Sequence, residues 1–225
     1  MFRCLSSCFW LVLVAFGRFA GSDGAKTMTI SIDMPVYCFD VIITKLQKGS
    51  SPPVPSSIPN DNFPLFVTWK KGNGHHLDLR GCIGTFSVNL PLHKGLTDYA
   101  KISAFEDSRF RPISLTEVPQ LHCTVSLLVK FEQAPNYRDW IIGTHGVHIY
   151  FKQNGQNLSA VYLPEVVEEQ GWDHVETLNQ LMKKGGWKGQ ITENDRLAVR
   201  VERFQSEKLT LSYQDYLAQK NHSYN

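Results

Sequence analysis

Cys82 lies in the run Leu79-Arg80-Gly81-Cys82-Ile83-Gly84, a thiol between glycines with an arginine two positions before it. Glycines let a backbone approach a bound group closely and aim N–H groups at an anion or oxyanion, so Gly81 and Gly84 read as ligand-binding positions. The positive charge of Arg80 favours thiolate over thiol, which makes Cys82 a candidate nucleophile; His75, His93, His122 or His145 could serve as its base if the fold brings one near. The alternative is a tight packing element with a buried, inert thiol, since free cysteine is among the most buried residue types. Two further residues and one cluster carry double readings. Glu165, directly after Pro164, is a first-turn carboxylate favoured by the helix dipole, or a general acid or base. Arg109, in Ser108-Arg109-Phe110, grips a carboxylate or phosphate ligand with its planar fork, or pins its own loop through backbone carbonyls. The basic cluster of Lys183, Lys184 and Lys188 reads as a solvated helix end rather than a nucleic-acid patch.

These residues need a scaffold, and a chain of 225 residues, 42% hydrophobic and 12% aromatic, supplies ample core. A formal net charge of +2, with basic residues scattered among acidic ones, gives no electrostatic case for a polyanionic partner. The five cysteines form no C-x-x-C pair and no regular spacing, which argues against a disulfide framework and a structural zinc site. His145 and His148 stand three apart in an expected strand and point to opposite faces, so no metal or other cofactor is assigned.

The first residues read as a secretory leader: Phe2 and Arg3, an apolar run over 9–16, then Ala15 and Gly17 in a small-x-small arrangement. That run is too short for a membrane span, which needs about 20 apolar residues. Two glycosylation triplets begin at Asn157 and Asn221. Met28 offers a later start just before the first expected element, and residues 1–27 are placed outside the fold.

Asp33 is expected to cap a helix that carries Pro35 in its first turn, buries Val36, Phe39, Ile43 and Leu46, and ends at Gly49. Residues 50–60 hold four prolines and four serines and read as an exposed connector. Strands are expected over 63–70 and 77–86 around a turn at Gly72-Asn73-Gly74, then a helix over 93–105 and a loop over 107–112. Leu121, Cys123, Val125, Leu127, Val129 and Phe131 alternate with polar residues as a strand that buries Cys123. Asn154-Gly155 marks a second hairpin between 146–151 and 158–163. Short helices follow over 165–170 and 173–184, with Trp172 and Asp173 as plug and cap between them. A last strand is expected to include Leu197, Val199 and Val201, and Ser212 to cap a terminal helix bearing Tyr213, Tyr216 and Leu217. Hairpins joined by single helices predict an α+β fold with an antiparallel or mixed sheet flanked by helices.

Several of these segments occur together in one known family. Leu79 to Thr85, Ser108-Arg109-Phe110-x-Pro112, Tyr162-Leu163-Pro164-Glu165-Val166, Glu169-Gln170-Gly171-Trp172-Asp173, Lys184-Gly185-Gly186 and Ser206-Glu207-Lys208-x-Thr210-Leu211-Ser212-Tyr213 resemble, in order and spacing, the AMMECR domain (Alport syndrome, midface hypoplasia and elliptocytosis chromosomal region). The similarity covers about residues 33–220. It implies a two-lobed α+β domain over 28–221 with a short tail, built on an antiparallel sheet, in a cytoplasmic or nuclear protein. The start departs from familiar vertebrate members, where a low-complexity region stands in place of this hydrophobic segment. Prokaryotic relatives lie beside, or are fused to, Memo-like and radical-SAM proteins, which implies a shared pathway.

The resulting functional expectation is a regulatory module that binds a protein or small-molecule ligand around residues 79–84. The alternative is a cysteine-dependent enzyme with Cys82 as nucleophile and Arg80, Arg109 and Glu165 lining its cleft. A third reading is a regulatory role in nucleic-acid transactions.

Overall fold

The computed structural model describes residues 30–73 and 76–222. The leader reading of residues 1–27, the turn residue Gly74 and the candidate base His75 lie outside them. Six strands form an antiparallel sheet in the order β2-β1-β3-β6-β4-β5: β1 is Leu65–Asn73, β2 His76–Thr85, β3 Leu121–Ala134, β4 Gly146–Gln153, β5 Gln156–Tyr162 and β6 Arg200–Ser212. Six helices accompany them among the described residues: α1 Asp33–Leu46, α2 Leu92–Phe105, α3 Pro164–Gln170, α4 His174–Lys184, α5 Glu193–Leu197 and α6 Tyr213–His222. A 3-10 turn spans Leu115–Gln120. The described chain divides into two compact units, one of residues 31–125 with 209–222 and one of residue 30 with 126–208.

In the first unit α1 buries Met34, Tyr37, Cys38, Phe39, Val41 and Ile42. This stripe is rotated from the expected one: Val36 and Ile43 are only half-buried. Both stripes satisfy helical spacing, so the choice fell to the partners. Tyr37 reaches Thr97 of α2 at 2.8 Å, while the Phe39 ring meets Trp69 of β1 edge-on and Tyr216 of α6, each at 5.1 Å between centroids. Ile32, not Asp33, occupies the cap position of α1. The Asp33 carboxylate instead accepts from Ser57 at 2.6 Å, and Ile58 is fully buried, so the proline-rich connector is tied down at its far end. Strand β1 runs on to pair Asn73 with His76, which moves Gly72 and Asn73 out of the expected turn and into the ladder.

In the second unit Asn154 (φ 51°) and Gly155 (φ 76°) make the expected tight hairpin between β4 and β5. Val147, Ile149 and Phe151 of β4 face a core that includes Val167, Leu178, Leu181, Met182 and Val201. Gly171 ends α3 at φ 66°, and the Asp173 carboxylate caps α4 by accepting from the Glu176 N–H at 2.8 Å. The expected strand around Leu197 is instead α5, and Leu197 is exposed. Thr192 and Asp195 form a reciprocal capping box there, whose two local bonds outweigh the β-like alternation of 197–201; β6 begins only at Arg200.

The first unit contains the close approach that fixes the Leu79–Gly84 segment. A Cβ on Gly81 would lie 2.0 Å from the Ser103 carbonyl oxygen of α2, and one on Gly84 would lie 2.3 Å from both the Leu65 carbonyl oxygen and the Phe66 ring. Gly81→Ala is therefore expected to lower unfolding free energy by about 3 kcal/mol. Gly155→Ala, where open space surrounds the missing Cβ but φ is left-handed, is expected to cost about 1 kcal/mol. Urea unfolding of the two variants checks the order, and equal losses would mean that α2 yields to the extra methyl.

Candidate functional site

Strand β2 is an edge of the sheet. Opposite Cys82 in the ladder stands Thr68, whose hydroxyl lies 2.7 Å from the Cys82 sulfur. Side chains come this close in antiparallel pairs whose backbone groups turn away from each other. The Cys82 N–H donates to Asp107 Oδ2 at 2.9 Å, and the Cys82 carbonyl accepts from Arg109 Nη2 at 3.1 Å. Both backbone groups of Cys82 are thus bonded by side chains of the loop that follows α2.

Asp107 joins the two halves of that contact. Its carboxylate takes Arg109 Nε at 2.9 Å, Arg109 Nη2 at 2.6 Å and the Arg109 N–H at 3.2 Å, with the side chain 4% exposed. Burial alone would raise the carboxyl pKa, but the bonds from Arg109 and from the Cys82 N–H together outweigh it and hold the group below its ordinary range. Of the two sequence readings of Arg109, the geometry includes the second: its fork holds a carbonyl and its own loop's carboxylate.

Arg80 is engaged in the same way. Its Nε and Nη2 meet the Glu117 carboxylate at 2.9 and 3.2 Å, and Nη2 also reaches the Pro112 carbonyl at 3.3 Å. Glu117 further accepts from Lys71, at 3.2 Å, and from the Ser114 N–H and hydroxyl, each at 3.0 Å. Arg80 foremost, then Ser114 and Lys71, pull the Glu117 carboxyl down to about 2 against the opposing effect of burial. The thiol of Cys82 is itself buried, at 3% exposure.

The structure brings Arg80, Gly81, Cys82, Gly84 and Arg109 together in the first unit. Glu165 belongs to the second unit, where it pairs with Lys208 at 2.6 Å. The histidines considered as bases have other engagements: His93 Nε2 lies 2.6 Å from the Ile58 carbonyl, and His145 Nδ1 accepts from the Ile141 N–H at 2.9 Å. His122 Nδ1 is buried without a hydrogen-bond partner among the described residues. Among the described residues no three His, Cys, Asp or Glu side chains are grouped to hold a metal, and no helix is long and apolar enough to cross a membrane.

Three contributors went unnoticed in the sequence. Glu117 had a signal, since Ser114-x-x-Glu117 is a capping-box spacing and forms one here. Asp107 begins the loop that carries Arg109, but its partner is 25 residues away. A third group lies in the second unit, where β4 and β6 pair His148 with Glu202 and Tyr150 with Arg200. Tyr150 bonds His148 Nδ1 at 2.9 Å and Glu202 at 3.2 Å, with the Arg200 guanidinium 3.8 Å from the centre of its ring. Burial, with Arg200 assisting, lowers His148 to about 4, and burial raises Glu202.

The Arg80–Glu117 pair sets an acid dependence. A carboxyl that titrates near 2 in the folded chain and near 4.5 otherwise stabilises the fold fully above 4.5, and that contribution is lost as pH falls toward 2. Glu117→Gln is expected to cost about 2 kcal/mol at neutral pH and to converge with the native protein as the medium approaches the folded pKa. Parallel denaturation curves across that acid range check this; a constant gap would assign the loss to packing. Asp107→Ala, which strands a guanidinium and a backbone N–H, is expected to cost about 3 kcal/mol and to speed hydrogen exchange at the Cys82 amide.

Comparison with known proteins points to one family. The family model AMMECR1 matches residues 35–209. An uncharacterized protein of Arabidopsis thaliana is 43% identical over 189 residues, covering 83% of this chain and 87% of its own. One of Schizosaccharomyces pombe is 42% identical over 187 residues, covering 80% and 92%. The crystal structure of an uncharacterized protein from Pyrococcus horikoshii superposes with a TM-score of 0.64 at 26% identity, over 79% of this chain and 89% of that one. The chain belongs to the AMMECR1 family.

Proposed function

We propose that this protein is a partner-binding regulatory module whose working surface is the Leu79–Gly84 edge strand together with the 107–116 segment fastened to it. The observation that carries this reading is the pair of hydrogen bonds in which Asp107 accepts from the Cys82 N–H and Arg109 donates to the Cys82 carbonyl. An unpaired strand edge invites another strand. Here side chains supply the acceptor and the donor that a neighbouring strand would bring, and the loop is thereby held in one place.

Outside that latch, Ser108, Arg111, Pro112, Ser114, Thr116 and the 48% exposed Leu115 face solvent. A rigid loop of this mixed composition suits recognition of a protein segment, because little ordering entropy is lost when a partner binds. The three described cysteines are buried thiols outside any disulfide, which favours a reducing compartment, the cytoplasm or nucleus.

Thiol catalysis is the second reading, kept by the closeness of the Thr68 hydroxyl to the Cys82 sulfur. It asks for an accessible thiolate and an available N–H, whereas the thiol is buried and the Cys82 N–H is bonded to Asp107.

Alkylation by iodoacetamide separates the two. On the binding reading Cys82 reacts only as fast as the fully buried Cys38 and Cys123, at the rate of chain opening. Labelling many times faster than Cys123, with a midpoint well below about 8.5, would replace this reading with the nucleophile. The binding reading also expects the double variant Arg111→Glu, Leu115→Asp to keep the native unfolding midpoint and to lose partners that the native chain retains from cell extract.

A further inference from the structure

The second edge of the sheet, β5, carries a lysine in an unusual setting. Lys184 ends α4, and its Nζ donates to the Val161 carbonyl of β5 at 2.9 Å while lying 4.5 Å from the centre of the Tyr162 ring. Tyr162 in turn meets Trp172, with centroids 5.6 Å apart. Three cations described above have a carboxylate: Arg80 has Glu117, Arg109 has Asp107, and Lys208 has Glu165. Among the described residues Lys184 pairs with no carboxylate; a carbonyl, an aromatic face and the C-terminal end of its own helix hold it instead.

We propose that Lys184 is an acylation site, at which the amine held between the Val161 carbonyl and the Tyr162 ring accepts an acyl group from an activated acyl donor, a thioester or an acyl phosphate. The neutral amine attacks the acyl carbon and a C–N bond forms. The C–S bond of the thioester, or the C–O bond to phosphate, breaks and the thiolate or phosphate departs. The nitrogen releases one proton to solvent, and nothing is oxidised or reduced.

The product fits the surroundings better than the reactant does. A secondary amide keeps one N–H, so the Val161 carbonyl remains bonded, and it removes a charge that no carboxylate among the described residues matches. A neutral imine, the product with an aldehyde, has no N–H and would turn a lone pair toward that carbonyl, which is why an acyl group is favoured over a carbonyl adduct. Burial supplies the reactive form by lowering the amine from 10.5 to about 8. The difference of 10.5 − 8 = 2.5 raises the free-amine fraction at neutral pH by about 300-fold over an ordinary lysine. Lower basicity gives back part of this gain, because a weaker base is a weaker nucleophile.

The test uses the native full chain with acetyl-coenzyme A in one arm and acetyl phosphate in the other, and reads acetyl occupancy by peptide mass spectrometry. The exposed Lys183 and Lys188 nearby serve as internal controls. At neutral pH Lys184 is expected to be acetylated at least about tenfold faster than either, with a rate that levels off near 8 while theirs keeps rising. The faster arm identifies the donor class. Lys184 reacting no faster than Lys183 and Lys188 in both arms would overturn the proposal. A second measurement concerns the product: Lys184→Gln, a neutral amide, is expected to unfold at a temperature no lower than the native chain near neutral pH. Its unfolding below Lys184→Arg would mean that the site requires a cation, and would overturn the proposal as well.

Discussion

The Asp107 carboxylate is the contact on which the first unit is organised. It is almost fully buried and has the Cys82 N–H on one side and the Arg109 guanidinium on the other. A buried carboxylate without such partners would be protonated or would destabilise the fold by several kcal/mol, so the three groups stand or fall together. Their arrangement presupposes that β2 lies close to α2. That closeness depends on Gly81, because any side chain there would meet the Ser103 carbonyl. The glycines of the Leu79–Gly84 run are therefore explained by packing before any ligand is invoked, and Arg80 and Arg109 by the loop they hold.

Both edges of the sheet are managed with charged side chains rather than with more strand. At β2 an aspartate and an arginine bond the backbone of Cys82; at β5 the ammonium of Lys184 bonds the carbonyl of Val161. An exposed edge is a template for unwanted pairing, and a bonded charge deters it. The two edges differ electrically. The cation at β2 sits beside carboxylates that match it, while the one at β5 is left to a ring and a carbonyl. A surface of matched charges suits a docking platform, and a cation that pairs with no carboxylate among the described residues suits a group that can give its charge up.

Much of the fold was legible in the sequence because its signals are local. Asn154-Gly155 fixed the second hairpin, Gly171 and Asp173 the junction between α3 and α4, and the alternation around Cys123 a buried strand. Errors arose where two local patterns competed. Apolar residues line more than one face of α1, and only the positions of Tyr216, Trp69 and Thr97 select the buried one. Around Leu197 a strand-like alternation coincided with a capping box, and the box prevailed.

What the sequence determined by itself is the family, the α+β character and the segment worth attention, since motif order, periodicity and turn chemistry are all properties of neighbours along the chain. Tertiary structure alone decided what Arg80, Arg109 and Glu165 hold, that Cys82 is buried, and that Lys184 pairs with no carboxylate among the described residues. Each of those depends on a partner: Glu117 is 37 residues from Arg80, Cys82 is 27 from Arg109, and Val161 is 23 from Lys184. Hydrogen bonds and desolvation act over a few ångströms in space, and sequence distance carries no record of which groups folding brings within that range.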